Sequence, residues 1–534
     1  MKKIITIISI TLALTSFIAH AQLGEWTWMH GTTASNSLGI FGTQTVVSPT
    51  NNPPGLYEAC QWTDPQGNFW VFGGGNNGPG QYYADLWKFN PATNEWIWMK
   101  GPGNFNLAGN YGTINVPSPT NNPGCRGYGE MSWVDNNNNL WLYGGYGYDA
   151  DSVQGLLGDL WMYDISTNMW TWKNGSKLQA PMPVYGTKGV AAPGNTPGGR
   201  SESNATWVDA NNNLWLYGGS IMTGLAGGDM WKYDITANEW TWMSGTIAPD
   251  LAPVYGTKLV PDTANNPGAR WCYSVWNSTD GNFWMYGGYG YSDVWRYDVS
   301  TNLWTWMSGA AGSNSTGHAG TICLSDTSNF PSGRTEDRSN WNLGCDNFVK
   351  YGSRDDMWIF NSTTLKWTWI KGNANADALP NWGTILVSST ANNPGSRQGA
   401  LGFKDNTGNL WLFGGAGAYN DMWKFVVDTT CPSLPRCVET TSIPENYQTS
   451  LSITLYPNPT FGTFTLSYNS QLSPARAGLN SQLVIMDVLG QEVYTQAITN
   501  PNQTTINVSQ LSNGVYFYQL TNGMETYRGK FVKE

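Results

Sequence analysis

Five arginines recur at one position of a repeated segment, and their chemistry could serve either ligand binding or structure. Each follows the glycine of a Gly-Thr pair by fourteen residues, and the set is Arg126, Arg200, Arg270, Arg334 and Arg397. A sixth copy of the segment has Leu56 at this position. A guanidinium group binds carboxylates and phosphates through parallel hydrogen bonds. The arginines could therefore ring one opening and attract an anion, or each could pair with a carboxylate of its own repeat. We favour the pairing.

A suitable carboxylate is present in every repeat. The pattern Asp-apolar-Trp-x-aromatic occurs six times, beginning at Asp85, Asp159, Asp229, Asp293, Asp356 and Asp421. A pair of glycines precedes it in five copies, directly after a short apolar run such as residues 214–217. Six aspartates for five arginines fit the pairing imperfectly.

Paired tryptophans form a third repeated feature. Trp-x-Trp occurs six times, with the first ring at Trp26, Trp96, Trp170, Trp240, Trp304 and Trp367. Residues two apart lie on the same face of a strand, where flat rings could stack on sugars. Because the pattern returns at the same place in each repeat, we interpret it as packing between repeats.

The repeats predict the architecture that positions these residues. Each unit contains four short strands, a to d, with strand a after the arginine, strand b before the glycines, strand c from the aspartate and strand d at Trp-x-Trp. Strand b is apolar at successive positions, as in sheets covered on both faces. Six such four-stranded units predict a β-propeller. The sixth unit lacks its own strand d, which residues 26–28 would supply, closing the ring without an exposed edge.

In combination these features resemble kelch motifs: the glycine pair that closes strand b, the Asp-x-Trp-x-aromatic pattern and the later tryptophan. The resemblance implies an all-β fold, a six-bladed kelch-like β-propeller. Secreted kelch propellers include galactose oxidase, whose copper site needs two histidines and two tyrosines. After the leader only His30 and His318 remain, and we place them in loops of non-adjacent blades, which does not fit that site. A sialic-acid mutarotase-like enzyme using arginines around the channel is the second enzymatic alternative.

The two ends of the chain indicate export. Lys2 and Lys3 precede an apolar run and a small-residue cleavage site, which is typical of a signal peptide. Residues 455–466, 483–493 and 511–520 alternate strand and turn residues and predict a small C-terminal β-sandwich. They resemble the C-terminal sorting domain of the type IX secretion system, which implies passage across the outer membrane. We therefore predict a signal peptide over residues 1–21, the propeller over 22–430, a Cys- and Pro-containing linker over 431–451 and the sorting domain over 452–534.

The loops between strands b and c predict a ligand surface. These loops do not repeat, and they are longest in blades one to three. Loops on a rigid scaffold often carry function. We expect Tyr82, Tyr83, Tyr146 and Tyr148 to offer stacking faces there, with Asp149 and Asp151 as hydrogen-bond acceptors.

Seven cysteines remain after the leader, in a compartment where disulfides persist. We expect a bridge between Cys431 and Cys437 and a second between Cys60 and Cys125. Turns such as residues 135–139 carry spaced oxygen atoms that could suggest Ca²⁺, but Asp and Asn are also what tight turns require. We expect no catalytic residue, no metal and no cofactor.

The composition narrows the function. A formal charge of −10 argues against a nucleic-acid partner, and no second apolar run is long enough to span a membrane. We expect a secreted or cell-surface binding module whose loop face recognises a glycan or an extracellular protein, handled by the type IX machinery. The alternative is a sugar-converting enzyme acting at the channel mouth, and an acid or base beside the arginines would favour it.

Overall fold

The computed structural model describes residues 24–76, 80–204, 207–222, 224–246, 248–336, 338–373, 377–428, 454–467, 481–487, 491–498, 503–521 and 526–534. Their regular elements are all β-strands, which confirms the predicted fold class. No helix in this part of the chain is long and apolar enough to cross a membrane. The chain divides into two compact units, Met1–Cys437 and Val438–Glu534. The predicted signal peptide and the predicted linker lie outside the described residues.

The first unit is a propeller of six four-stranded antiparallel sheets. Strands a to d are Cys60–Thr63, Phe69–Phe72, Leu86–Asn90 and Glu95–Lys100 in blade one; Met131–Val134, Leu140–Tyr143, Gly158–Asp164 and Met169–Ser176 in blade two; Trp207–Val208, Leu214–Met222, Leu225–Asp234 and Glu239–Thr246 in blade three; Ser274–Asn277, Phe283–Gly288, Tyr291–Asp298 and Leu303–Ser308 in blade four; Ser339–Gly344, Asn347–Tyr351, Asp356–Asn361 and Lys366–Gly372 in blade five. A further small sheet is formed by Arg126–Gly127, Tyr146–Tyr148 and Gln154–Leu156.

Blade six closes the ring in the predicted way. Its first three strands are Leu401–Lys404, Leu410–Phe413 and Met422–Phe425, and its fourth is Trp26–His30 from the start of the described chain. In this pairing Trp26 lies opposite Phe425 and Trp28 opposite Trp423. His30 is therefore the last residue of a strand rather than a loop residue.

The Trp-x-Trp tryptophans pack between blades, as we favoured. The first ring of each pair is buried and contacts the aromatic residue that ends strand b of the preceding blade. Trp170 lies 5.3 Å from Phe72 between ring centroids, and Trp26 lies 5.4 Å from Tyr351. This packing joins neighbouring sheets all round the propeller and leaves these rings unavailable to a ligand.

The long segment between strand d and the next strand a covers the outer edge of each blade. In blade two, the backbone N–H of Asn115 donates to Trp172 O at 2.8 Å. The Asn121 side chain donates to the carbonyls of Val116 and Trp170, both at 3.1 Å. Gly112 has a φ of +57°, and a Cβ there would lie 2.4 Å from Asn121 Oδ1. We call this segment, from the end of one strand d to the next strand a, the strap. Its repeated Gly-Thr and Asn positions hold it over strand d, which would otherwise be an unpaired edge.

The second unit contains two antiparallel sheets around one apolar core. One sheet has three strands and the other has four. The strands of the first are Thr454–Tyr456, Thr463–Ser467 and Gln503–Asn507, and those of the second are Ser481–Met486, Glu492–Ile498, Gly514–Thr521 and Thr526–Lys533. Phe464, Leu483, Ile506 and Phe531 are fully buried between them, as expected for a β-sandwich.

The predicted Cys60–Cys125 bridge is wrong. Both residues are buried free thiols, and so is Cys272. Cys60 and Cys125 belong to one apolar cluster, but the Cys125 thiol is directed towards Asn104 O at 3.9 Å. They fill space as small apolar residues. Cys323 and Cys345 are each disulfide-bonded, and Cys431 and Cys437 lie outside the described residues.

Candidate functional site

The five repeated arginines pair with the aspartates that open strand c. Arg126 Nη1 and Nη2 donate to the two carboxyl oxygens of Asp159 at 2.7 and 2.8 Å. The same bidentate pair joins the other four arginines to Asp229, Asp293, Asp356 and Asp421. All five arginines are buried. Of the two alternatives for this set, the geometry matches the structural one, because the guanidinium groups are already occupied.

Blade one lacks this arginine–aspartate pair. Leu56 replaces the arginine, and buried Asp85 keeps only the N–H groups of Gly103 and Trp98 as donors. Its second carboxyl oxygen and the indole nitrogen of Trp87 have no hydrogen-bond partner among the described residues. Burial raises the pKa of Asp85 to about 7.

A ring of six residues surrounds the channel at the start of the inner strands. Its members lie two residues after the arginine position in each repeat, and all have a left-handed backbone with φ between 50° and 63°: Glu58, Tyr128, Glu202, Cys272, Glu336 and Gly399. The same conformation recurs at other turns of the repeat, such as Asn168 and Asn238, so it is a property of the repeat. The ring is a candidate site because of the side chains that it brings together.

Backbone hydrogen bonds hold the ring together from blade to blade. The N–H of Glu202 donates to Tyr128 O at 2.8 Å, and that of Cys272 donates to Glu202 O at 2.9 Å. Blade six joins blade one through Glu58 N–H and Gly399 O at 3.1 Å. Each ring side chain is therefore fixed relative to the next by the backbone itself.

Five side chains meet inside the ring and form what we call the channel cluster: Glu58, Glu202, Cys272, Glu336 and Arg338. The Cys272 thiol lies 3.0 Å from Glu336 Oε1 and 3.4 Å from Glu202 Oε2. The guanidinium of Arg338 lies 3.3 Å from Glu58 and 3.5 Å from Glu336. Glu58 and Cys272 are fully buried, whereas Glu202 and Glu336 are partly exposed.

The carboxyl groups of the cluster differ in acidity. Burial and the neighbouring Glu336 charge raise the pKa of Glu202. Burial also raises the pKa of Glu58 well above its usual range. Burial opposes ionisation of Glu336 too, but a hydrogen bond with Glu58 and the charge of Arg338 outweigh it and lower that pKa. The pKa values of Glu202 and Glu336 are thus shifted in opposite directions, as in pairs of carboxyl groups that act as acid and base catalysts.

Arg338 crosses the channel towards blade two. A Cβ on Gly129 would lie 1.8 Å from Arg338 Nη1, so this position admits only glycine. Beyond Arg338 lies a cavity of about 60 Å³ that is lined by Glu130, Ser132, Asn204 and other side chains. Burial raises the pKa of Glu130 to about 7. A wider cavity of about 360 Å³ opens at the other end of the inner strands.

The cluster also contains a potential metal donor set. One ligand atom each from Glu58, Cys272 and Glu336 lies within 4.8 Å of the others. Arg338 lies against the same three side chains, at 3.6 Å from the thiol of Cys272. The guanidinium already supplies positive charge there, so a metal ion would have to displace it.

Aromatic side chains lie at or beside ring positions and form what we call the aromatic rim: Tyr57, Tyr128, Trp271 and Tyr289. Tyr57 and Trp271 directly precede ring residues in the sequence, and Tyr128 is itself a ring residue. Tyr57 and Tyr128 pack edge to face at 6.3 Å between ring centroids, as do Trp271 and Tyr289 at 4.6 Å. Tyr128 is 39% exposed and Tyr289 is 45% exposed, so the rim carries aromatic rings that are accessible to solvent.

The residues predicted from the b–c loops do not form a common site. Tyr82, Tyr83 and Asp149 are buried. Asp149 accepts backbone N–H groups of its own loop from Asp151 and Val153. Tyr148 is half-buried and Asp151 is exposed. Their assignment as ligand contacts is corrected for the three buried residues, because those side chains stabilise the loops.

Two of the predicted tyrosines nevertheless reach the aromatic rim. The ring centroid of Tyr82 lies 5.7 Å from that of Tyr128, and the centroid of Tyr146 lies 6.0 Å from it. Both rings therefore pack against Tyr128. The turn at Asp135 is likewise structural, because its carboxylate accepts N–H groups from Asn137, Asn139 and Trp141.

The repeat pattern alone did not single out the channel cluster. The signal was present: the position two residues after the arginine holds glutamate in three repeats, at Glu58, Glu202 and Glu336. It was missed because that column also contains tyrosine, cysteine and glycine, so it does not read as a motif. Arg338 lies outside the repeated arginine position and carried no pattern at all.

Comparisons with known proteins find one matching family model and several curated relatives. Residues 454–534 match the family model described as "Secretion system C-terminal sorting domain". N-acetylneuraminate epimerase 2 of Escherichia coli O6:H1 is 27% identical over 202 residues, which are 35% of this chain and 48% of that protein. The N-acetylneuraminate epimerase of Shigella boydii serotype 4 matches to the same extent. The chain thus spans about half the length of the curated relatives it matches.

Solved structures give weaker similarity. The structure of YjhT is 14% identical, with a TM-score of 0.31 over 74% of this chain and 95% of that one. PorZ, a surface component of the type IX secretion system of Porphyromonas gingivalis, is 14% identical, with a TM-score of 0.33 over 92% of this chain and 53% of that one.

The C-terminal match indicates export across the outer membrane, to the cell surface or the medium. The first unit is thus a six-bladed β-propeller, and the C-terminal unit contains the match to the secretion system C-terminal sorting domain.

Proposed function

We propose that the exported propeller binds a sugar at the channel mouth and interconverts its ring forms by acid–base catalysis. The observation that carries this proposal is the pair Glu202 and Glu336, two partly exposed carboxyl groups on one thiol with opposite pKa shifts. This favours the enzymatic alternative over the binding module that the loop pattern suggested.

The residues have distinct roles in this proposal. Glu336 is ionised and accepts the proton of the anomeric hydroxyl, while protonated Glu202 donates to the ring oxygen. The bond between the anomeric carbon and the ring oxygen breaks, and a carbonyl forms. Ring closure on either face of the carbonyl reverses both proton transfers, so the two groups return to their starting states and no cofactor is consumed.

Glu58 and Arg338 are positioning residues. Glu58 is fully buried, and the guanidinium of Arg338 lies 3.3 Å from Glu58 and 3.5 Å from Glu336. Together they keep the base ionised in a buried setting, where an unpaired carboxylate would otherwise take up a proton. The Cys272 thiol, whose pKa burial raises well above its usual range, acts as a neutral spacer between acid and base.

The aromatic rim supplies the binding surface. Sugars offer apolar C–H faces that pack on aromatic rings, and the hydroxyl groups require polar partners beneath them. Tyr128 and Tyr289 present such faces beside the cluster. The similarity to N-acetylneuraminate epimerases, over about half of their length, supports sugar chemistry of this class.

The test is two-dimensional exchange NMR on the exported protein with glucose, galactose, their amino and N-acetylamino derivatives, and N-acetylneuraminate. We expect faster exchange between the α and β anomers of at least one sugar, and a loss of about 10²-fold or more in Glu336→Gln and Glu202→Gln. Asp151→Asn, which alters an exposed carboxyl group of the b–c loop, is the matched control. Binding without exchange would favour a lectin-like module, and loss in the control would return the site to the loop face.

A further inference from the structure

The charged groups at the channel mouth point to the class of sugar, an inference that rests on the proposed function. The five repeated arginines are buried in bidentate pairs with aspartates. Arg338 is shared between Glu58 and Glu336, and it is the cation that acts on all three carboxyl groups of the channel cluster. Anion binding would therefore require a guanidinium that is already committed.

The groups that a ligand meets first are carboxyl groups. Glu336 keeps 15% of its side chain exposed, whereas Arg338 keeps 7% and Glu58 none. Glu202 is also partly exposed. These oxygens accept hydrogen bonds from hydroxyl or ammonium groups. A ligand carboxylate would instead face the negative charge of Glu336, with no hydrogen to donate.

We propose that the site takes a sugar without a carboxylate, either neutral or carrying an amine, and disfavours sialic and uronic acids. The substrate class of this protein would then differ from the one in the names of its relatives. An amine would be favoured further, because its positive charge would lie beside the negative charge of Glu336.

Among the other cations on this face, Arg354 is half-buried in the b–c loop of blade five, between strands that end at Tyr351 and begin at Asp356. It is outside the ring, and it is not among the charges that act on Glu202. The proposal therefore predicts that Arg354 does not set the preference among sugars.

The experiment measures equilibrium binding of matched sugars by isothermal titration calorimetry on the exported protein. Glucosamine, glucose and glucuronate share one ring and differ in charge, the galactose series repeats the comparison, and N-acetylneuraminate is added. We expect the carboxylate sugars to bind about tenfold or more weakly than the neutral ones. The gap should narrow in Glu336→Gln, narrow with added NaCl in the wild type, and stay unchanged in Arg354→Ala.

The outcomes are separable. If glucuronate or N-acetylneuraminate binds as tightly as the neutral sugars, the inference about substrate class is overturned while the proposed function stands. If no sugar of either series binds, the proposed function fails and this inference fails with it. The salt dependence in the wild type keeps the test decisive where the Glu336→Gln variant does not fold.

Discussion

At the residue scale, this propeller uses buried carboxyl groups in two different ways. In five blades an aspartate is neutralised by an arginine through two hydrogen bonds, and this fixes strand a to strand c. In the channel, Glu58, Glu202 and Glu336 share one guanidinium. Pairing each aspartate with its own arginine stabilises the fold. Sharing Arg338 among three glutamates separates their pKa values, which is what the proposed acid–base catalysis requires.

Asp85 allows the cost of an unpaired buried carboxyl group to be measured. Its pKa is raised to about 7 from an ordinary value of 3.8, so the folded state holds a proton that the unfolded state has released between these pH values. The free energy of unfolding must therefore fall as pH rises through this window. We expect Asp85→Asn to gain stability relative to the wild type by on the order of 2 kcal/mol between pH 5 and pH 8.

Chemical denaturation of both proteins at a series of pH values gives this difference. Asp151→Asn serves as the control, because that carboxyl group is exposed. A difference between Asp85→Asn and the wild type that does not change with pH would contradict the assignment of a raised pKa to Asp85.

At the element scale, the straps give a structural role to the long segments between strand d and the next strand a. The Asn121 amide joins the strap to strand d of blade two through two backbone carbonyls, and Asn51, Asn195, Asn265, Asn329 and Asn392 do the same in the other blades. Each strap thereby covers an edge strand that would otherwise be open to pairing with another chain.

We expect Asn121→Ala to lower the free energy of unfolding by about 1–3 kcal/mol, because the buried carbonyl of Trp170 and the part-buried carbonyl of Val116 lose their donor. The variant should also aggregate more readily on heating. Asn137→Ala, an exposed position in the same blade, should leave thermal unfolding unchanged. Equal stability of the Asn121 variant and the wild type would show that the strap does not depend on this residue.

The elements could be predicted further than the site, for a physical reason. The strand pattern recurs six times, and this predicts the number of blades. The last repeat lacks its own Trp-x-Trp, and this absence predicts that Trp26 belongs to the fourth strand of blade six. The site depends on how the repeats differ. Glu202 and Cys272 occupy the same position in successive repeats, and their 3.4 Å contact arises only when the blades converge on one axis. The b–c loops differ in sequence between blades for another reason, because their tyrosines pack the loops themselves.

At the scale of the whole molecule, the propeller carries the candidate site and the C-terminal unit carries the export signal. Residues 454–534 have their own two sheets and their own apolar core. We expect deletion of residues 452–534 to retain the protein in the periplasm with its propeller folded. Cell fractionation and limited proteolysis check this, and truncated protein on the cell surface would contradict it.

The central claim is that Glu336 and Glu202 act as base and acid on a sugar at the channel mouth, and the pH dependence of catalysed anomer exchange tests it most directly. Glu336 has a lowered pKa and Glu202 a raised one, each relative to an ordinary value of 4.5. The wild-type rate, corrected for spontaneous exchange, should form a bell that falls at low pH as Glu336 takes up a proton and at high pH as Glu202 loses one. In Glu202→Gln the residual rate should lose the high-pH limb. A rate that is independent of pH, or a Glu202→Gln profile that matches the wild type, would contradict the assignment.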